Sequence, residues 1–484
     1  MKYVAGIDIG TSSCKTVLVD ASGVLVATSS MEYFAKPGDN ADMDPMDWWN
    51  AAVTTLKSAC EKIGISPAQI GAVGCSGQMQ GCTFIGKDKK PVRDSMLWYG
   101  TSPKEICARL NQEYGDVFLR NCQSLSMPSL TGSKIRWVME HEPEVWAKTD
   151  KFLFAPSFIG FMLTGEAVVD RSELGLSGLN NVVEGEWSKE LMDITGVTAE
   201  KMPALMDSIE IMGTVTKEAA GLTGLLEGTP VIAGCGDGPA ESFSVNIAGK
   251  SEMKLRLGSA CAANAVIPKD WLGTKVQYAS PYADREHYHI GNFTSNCALA
   301  VKWVRDTFFS ELKKEDKSYS LMDAEAKDCK LGSGGLLFHP YLNGEAAHYA
   351  DPWMTAKFTG ITINCRRSDF LHAVYEGVSF SIRDMVEHNE GLALMENVVF
   401  CGGGTKSSVW MPILLDVLGR DGVVPKSADA SFGVALMAGQ AIGLFDAAKA
   451  ADASRDAGRA VTFSAENHQR YNEIYQKYLD MVKI

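Results

Sequence analysis

Two aspartates sit where apolar strands would be expected to run on. Asp8 interrupts the pattern Val4 to Ile9, and Gly10-Thr11-Ser12-Ser13 follows at once. Asp237 lies in Gly234-Cys235-Gly236-Asp237-Gly238-Pro239, directly after the apolar run Val231-Ile232-Ala233. Burying an unpaired carboxylate is costly, so each needs a reason. A carboxylate beside backbone N–H and hydroxyl donors suits a hydrated metal ion and an anionic ligand. A carboxylate in a glycine-lined turn, open to close approach, could take the proton of an alcohol attacking phosphorus. Phosphoryl transfer asks little else of a protein beyond in-line positioning, Mg2+ and charge neutralisation. Plainer readings stand beside these: a hairpin with a solvent-facing Asp8, and an Asp237 that caps a helix starting near Ala240.

Glycine turns recur at strand ends. Residues 10–13, 258–259 and 402–407 each follow an apolar strand pattern and could offer backbone donors to phosphate oxygens. No Gly-x4-Gly-Lys-Ser/Thr loop occurs, and the glycines at 234–238 lack dinucleotide-binding spacing. One glycine turn is ordinarily only a turn. Three of them, with aspartates at two strand ends, are harder to dismiss as turns alone.

The elements that must position these groups alternate between strand and helix. A hairpin opens the chain, with Thr16 to Val19 returning. Helices are expected over Asp44 to Ile63, entered through Pro45, and at about 103–114, 131–141 and 155–164. Strands are expected over Ile70 to Cys75, Cys82 to Ile85 and Ser95 to Trp98. Lys254 to Val266 repeats the layout of the opening hairpin, with Arg256 falling where Asp8 stands. A strand runs into Gly402, a helix follows over Val409 to Leu418, and Ala430 to Ile442 reads as a small-residue helix suited to tight packing. The last helix, from Glu466, sets Tyr471, Tyr475 and Tyr478 on one face as a docking surface. At 484 residues the chain calls for two domains, expected at 1–245 and 246–484 with a hinge near 243–252 and the last helix packing back on the first.

A net charge of −13 argues against nucleic acid or an anionic membrane as the main partner, leaving phosphate to be bound locally. The 12 cysteines are scattered, with no Cys-x-x-Cys pair, as in a reduced, cytoplasmic protein. No apolar run is long enough to span a bilayer. A homodimer is compatible with these features.

In this order the segments resemble the FGGY family of carbohydrate kinases, of the actin and hexokinase superfamily, and most closely its xylulokinase branch. The likeness covers essentially the whole chain. Gly6-Ile-Asp-Ile-Gly-Thr-Ser-Ser13 is similar to the family's first phosphate motif, and Gly234-Cys-Gly-Asp237 to the turn bearing its catalytic base. Asp42 to Trp49, Ser76 to Gly81, Lys134 to Trp137 and Leu163 to Glu166 resemble xylulokinase segments. Pro340 to Glu345 with Ala373 to Ser379 resembles the C-terminal signature, and Gly402 to Ser407 the adenosine motif. The resemblance implies an α/β protein of two actin-like (ribonuclease H-like) lobes with an interdomain cleft. It implies ATP and Mg2+, Asp8 at the metal and phosphates, and Asp237 as general base. Gly10, Thr11, Ser12, Ser13 and Lys15, then Gly258 and Ser259, then Gly403, Gly404 and Lys406, would serve the nucleotide. Gln78, Met79, Gln80, Trp98, Tyr99 and Asp237 would line the sugar side.

Three departures fall on that sugar side. The xylulokinase pattern has Met-His-Gly where this chain has Met79-Gln80-Gly81. It has an acid and an arginine in the stretch that reads Trp98-Tyr99-Gly100-Thr101-Ser102, and an Asn where Gly238 follows the base. Such changes alter which hydroxyls find partners. The expected activity is ATP-dependent phosphorylation of a primary hydroxyl of a ketose or related polyol, with Gln80 and Tyr99 as specificity residues. D-Xylulose and a different sugar or polyol both remain open as substrate. A catalytically quiet, nucleotide-dependent sugar-binding protein is the alternative from another class.

Overall fold

The computed structural model describes residues 2–272, 279–345, 349, 351 and 353–482. They form a mixed α/β protein of two compact units, each built on its own sheet. The first unit gathers Met1–Gly249, Val266–Ile290 and Ser427–Ser454; the second gathers Lys250–Ala265, Gly291–Lys426 and Arg455–Ile484. A single cut at 245/246 therefore does not divide the protein, because two later stretches of chain complete the first unit.

The first sheet runs in the order Ile211–Thr214, Pro230–Ile232, Ile70–Gly77, Tyr3–Ile9, Ser13–Asp20, Leu25–Glu32, with Cys235–Gly236 also pairing with Ile70–Gly77. Its central strands are apolar on both faces, as a sheet covered on both sides requires. Ile7 lies opposite Thr16, whose hydroxyl meets Thr55 at 2.7 Å on the helix Pro45–Lys62. Gly6 points the other way, and a Cβ there would lie 1.9 Å from the Ser431 carbonyl oxygen on the helix Ala430–Ala441. Gly74 approaches the same helix, 2.4 Å from the Val434 carbonyl by the same construction. This backbone-close seating is why the small-residue helix belongs to the first unit although it comes late in the chain.

The expected cost of filling that space is large. Gly6→Ala drives a methyl group into helix backbone that has no rotamer to yield with, and should destabilise the protein by about 3 kcal/mol in chemical denaturation. Gly221→Ala is the control: it lies within the helix Lys217–Thr223 with nothing within 4 Å, and should be neutral or slightly stabilising. Equal midpoints for the two variants would contradict the seating.

In the second unit the strands run Cys261–Pro268, Glu252–Leu257, Asn397–Cys401, Gly422–Val424, Arg459–Val461. The helix Ala465–Val482 packs within the second unit, on the helices Trp410–Leu418 and Arg367–Glu387. Its Tyr471, Tyr475 and Tyr478 are buried around Phe380 of the helix Arg367–Glu387, with ring centroids 5.9, 5.9 and 5.4 Å away. The aromatic face found its partner on the nearer core. Two smaller differences concern lengths. The helix expected to end near 114 continues over Lys104–Cys122 through a kink at Tyr114, and the strand expected over 95–98 is only Ser95–Met96. All twelve cysteines are free thiols, ten of them buried.

Candidate active site

Register places the two aspartates at one end of the first sheet. Asp8 pairs with Ser76 on the parallel strand beside it, Ser76 pairs with Cys235 on the next, and Gly77 pairs with Gly236. The outer two of these three strands lie about 10 Å apart, and Asp237 follows immediately past the last pair. Gly234 makes the turn possible: its φ is +74°, and a Cβ there would lie 1.9 Å from the Cys75 carbonyl oxygen. Asp237 opens the helix Asp237–Ser244, capped by Gly236, so it stands within the first turn rather than capping from outside. The Gly238 N–H donates to Asp237 Oδ1 at 2.8 Å.

Asp8 is partly buried and its Oδ1 accepts from Ser76 Oγ at 2.9 Å. Burial, then the field of Asp237, pushes its carboxyl up to about 7; Asp429 and Glu241 add to this and the Ser76 hydrogen bond opposes it. Across the hairpin from Asp8 stands Lys15, whose Nζ donates to Asp429 Oδ2 at 2.7 Å. Asp429 also caps the helix Ala430–Ala441 through the Phe432 N–H. Burial works against its charge, yet Lys15, the Ser431 hydroxyl and that N–H together hold its carboxyl below the usual range.

The turn after Asp8 is braced from behind. The Gly10 N–H donates to the Ser13 carbonyl at 3.0 Å, while the Gly10 carbonyl accepts from Tyr33 Oη at 2.6 Å and Gln78 Nε2 at 3.4 Å. Tyr33 N–H closes onto the Ser12 carbonyl at 3.0 Å. Thr11 Oγ1 accepts from Trp98 Nε1 at 3.0 Å, and Tyr99 packs edge-on against Trp98 at 5.5 Å. Met79 lies against Gly236, where a Cβ would come within 2.5 Å of its sulfur. Gln80 holds a φ of +67°, and its carbonyl accepts from Lys134 Nζ at 3.1 Å and Thr131 Oγ1 at 3.3 Å. Lys134 is fully buried, with the Pro128 and Ser129 carbonyls as its other partners, and burial draws its ammonium down to about 7. Gln78 and Trp98, with Tyr99 against it, thus gather around Gly10 and Thr11, and Met79 lies on Gly236, whereas Gln80 is held against Lys134 and Thr131.

His289 had no signal of its own in the sequence. A Cβ on Gly238 would lie 3.3 Å from His289 Cε1, so the imidazole stands where a side chain next to Asp237 would reach. Ser242 Oγ meets His289 Nε2 at 3.0 Å, and the ring stacks on Tyr282 at 6.4 Å. The missing Asn at 238 was the one hint that something else fills that corner.

The other residues expected at the nucleotide converge within the second unit. Arg256 pairs with Cys401 on adjacent parallel strands, so the Gly258-Ser259 turn and the Gly403–Lys406 turn of 3-10 helix leave the sheet at the same end. The Gly258 and Ser259 carbonyls accept from Ala298 and Leu299 N–H groups at 3.0 and 3.1 Å. Gly404 cannot carry a side chain without meeting Leu257 and Trp410 at 2.8 Å, whereas Lys406 is exposed. Among the described residues no group of three or more His, Cys, Asp or Glu side chains is placed to hold a metal ion. Among them, too, no helix is long and apolar enough to cross a membrane.

Two family models match the chain: the N-terminal domain of the FGGY family of carbohydrate kinases over residues 3–244, and its C-terminal domain over 253–442. Xylulose kinase of Bacillus subtilis is 27% identical over 99% of this chain and 96% of its own length. Gluconokinase of the same organism is 26% identical over 89% and 85%. The crystal structure of ligand-bound xylulose kinase from Lactobacillus acidophilus superposes with a TM-score of 0.89 at 23% identity, covering 99% of this chain and 98% of that one. Two sheet-containing α/β units of the actin-like kind, with the family models across both, define a carbohydrate kinase. The chain belongs to the FGGY family, with a xylulokinase-like character.

Proposed function

We propose that the protein transfers the γ-phosphoryl group of ATP to a primary hydroxyl of a ketose or related polyol, a pentulose such as D-xylulose first among them. What supports this most is the register that brings Asp8 and Asp237 to one end of one sheet. The carboxylate of Asp237 accepts the proton of the acceptor hydroxyl as its oxygen bonds to the γ-phosphorus. The bond to the bridging oxygen breaks and ADP leaves. Asp8 would hold a hydrated Mg2+ arriving with the nucleotide, a cation that keeps most of its water and phosphate ligands and so needs few from the protein. That donor set fits: a single carboxylate with a serine hydroxyl beside it. Bound there, Mg2+ would neutralise phosphate charge, and the turn at residues 10–13 stands beside Asp8 to meet the same phosphates.

A second reading has a particular observation behind it. His289 fills the corner beside the base that the xylulokinase pattern gives to an Asn, and one relative of similar identity is a gluconokinase. A polyhydroxy acid is therefore a candidate acceptor alongside the ketoses. The test is coupled ADP release with a panel of ketoses, polyols and aldonates. Turnover on at least one, with the phosphate on a primary carbon, is the expected result. Saturable binding across the panel without any turnover would favour the quiet binding protein.

A further inference from the structure

The short helix Arg171–Leu174 is buried along its length and tied to the turn that bears Asp237. Asp170 caps it, accepting from the N–H groups of Ser172 at 2.8 Å and Glu173 at 3.2 Å, and from Ser208 Oγ at 2.9 Å. The Ser208 carbonyl accepts from the Gly234 N–H at 3.0 Å, and Ser172 Oγ from the Gly236 N–H at 3.2 Å. Both ends of the turn are thereby fastened to the segment carrying Glu173. That side chain is buried, at 1% exposure, and its Oε1 has no hydrogen-bond partner among the described residues. A buried polar atom left so is unfavourable until something pairs with it.

Burial first, then Asp170 and Asp237, push the Glu173 carboxyl well above the usual carboxylate range. In its protonated form that carboxyl has one O–H to donate and oxygen lone pairs to accept. A sugar hydroxyl has the same double character and is its natural complement. An ionised group or an apolar group would not be.

We propose that Glu173 is a specificity-determining residue of the acceptor site, its buried carboxyl pairing with a second hydroxyl of the polyol whose reacting hydroxyl faces Asp237. This rests on the kinase reading above. It makes Glu173 the group that demands a hydroxyl at one carbon of the acceptor, whichever member of the panel proves best.

The test compares the parent enzyme with Glu173→Gln and Glu173→Met on the best acceptor and on its monodeoxy analogues. Gln keeps a donor and an acceptor and should stay within about threefold in kcat/KM, whereas Met should lose roughly 10²-fold, chiefly through KM. On the analogue lacking the paired hydroxyl, parent and Glu173→Met should be equally poor; on the others the gap should persist. A Met penalty of the same size on every analogue, or a Gln variant as poor as Met, would overturn the assignment. If Glu173→Met does not fold, Glu173→Asp withdraws the carboxyl by one methylene and is read by the same comparison. A parent enzyme that turns over no acceptor sinks the kinase reading itself; an active parent with flat variants sinks only Glu173.

Discussion

Asp237→Asn is expected to lower kcat by roughly 10²–10⁴-fold on whichever acceptor the enzyme uses, the range lost with a positioned general base. At the middle of that range the barrier rises by about 4 kcal/mol. The substitution is close to isosteric. An Asn carbonyl can still accept from the Gly238 N–H, the hydrogen bond that now fixes Oδ1 at 2.8 Å, so the turn should keep its shape and the melting midpoint should hardly move. KM for nucleotide should also hold. Removing the Asp237 charge further relieves Asp8 and Glu173, both of which it pushes up, so Asp8 should ionise at lower pH in the variant. Turnover equal to the parent's, with intact fold, would remove Asp237 from the chemistry. A loss of activity that tracks a loss of structure would instead make it a residue that holds the first turn of the helix it opens.

The parts of this site that were legible from sequence are those whose chemistry is local. Asp8 stood out because a charge broke an apolar strand just before Gly10, and Asp237 because glycines flank it after another strand. The helix Ala430–Ala441 announced tight packing through its own small residues. What it packs on could not be read, because Gly6 and Gly74 look like ordinary strand glycines until a second backbone is laid over them. Lys15 shows the same limit from the other side. Next to a phosphate-type turn a lysine reads as a phosphate ligand, yet Asp429, brought in from far along the chain, is its partner here. Glu173 and His289 were invisible for a related reason. Asp170-Arg-Ser-Glu173 has the composition of a surface helix, and only its ties to Ser208, Gly234 and Gly236 bury it. His289 gains meaning only from the side chain that Gly238 lacks. Pairings across long stretches of chain leave no trace in periodicity or spacing, and those of Lys15, Glu173 and His289 are of this kind.

Asp8→Asn should separate stability from function. In the folded protein the Asp8 carboxyl is pushed up to about 7, far above its value in an unfolded chain, mainly by burial and the Asp237 field. The folded state therefore binds the extra proton more tightly, and between the two values it holds more protons than the unfolded state. Stability from this group is fully present in acid and is lost as pH rises through the folded value. Above it an ionised Asp8 works against folding by at most about 4 kcal/mol, less where water reaches the partly buried oxygens. Asn carries no such charge. Asp8→Asn should thus be more stable than the parent at pH 8, with the gap shrinking steadily toward pH 5. The same change should abolish most phosphoryl transfer and the stabilisation that Mg2+-nucleotide gives the parent, because the anionic oxygen is what a hydrated cation would meet. Thermal denaturation across pH, with and without Mg2+-nucleotide, reads all three effects. A gap that does not vary with pH would show that Asp8 does not titrate in this window. A variant stabilised by Mg2+-nucleotide as strongly as the parent would place the cation elsewhere. On the proposed reading the buried carboxylate is a site kept ready: unfavourable to the fold when ionised and alone, and relieved by the positive charge of a bound cation.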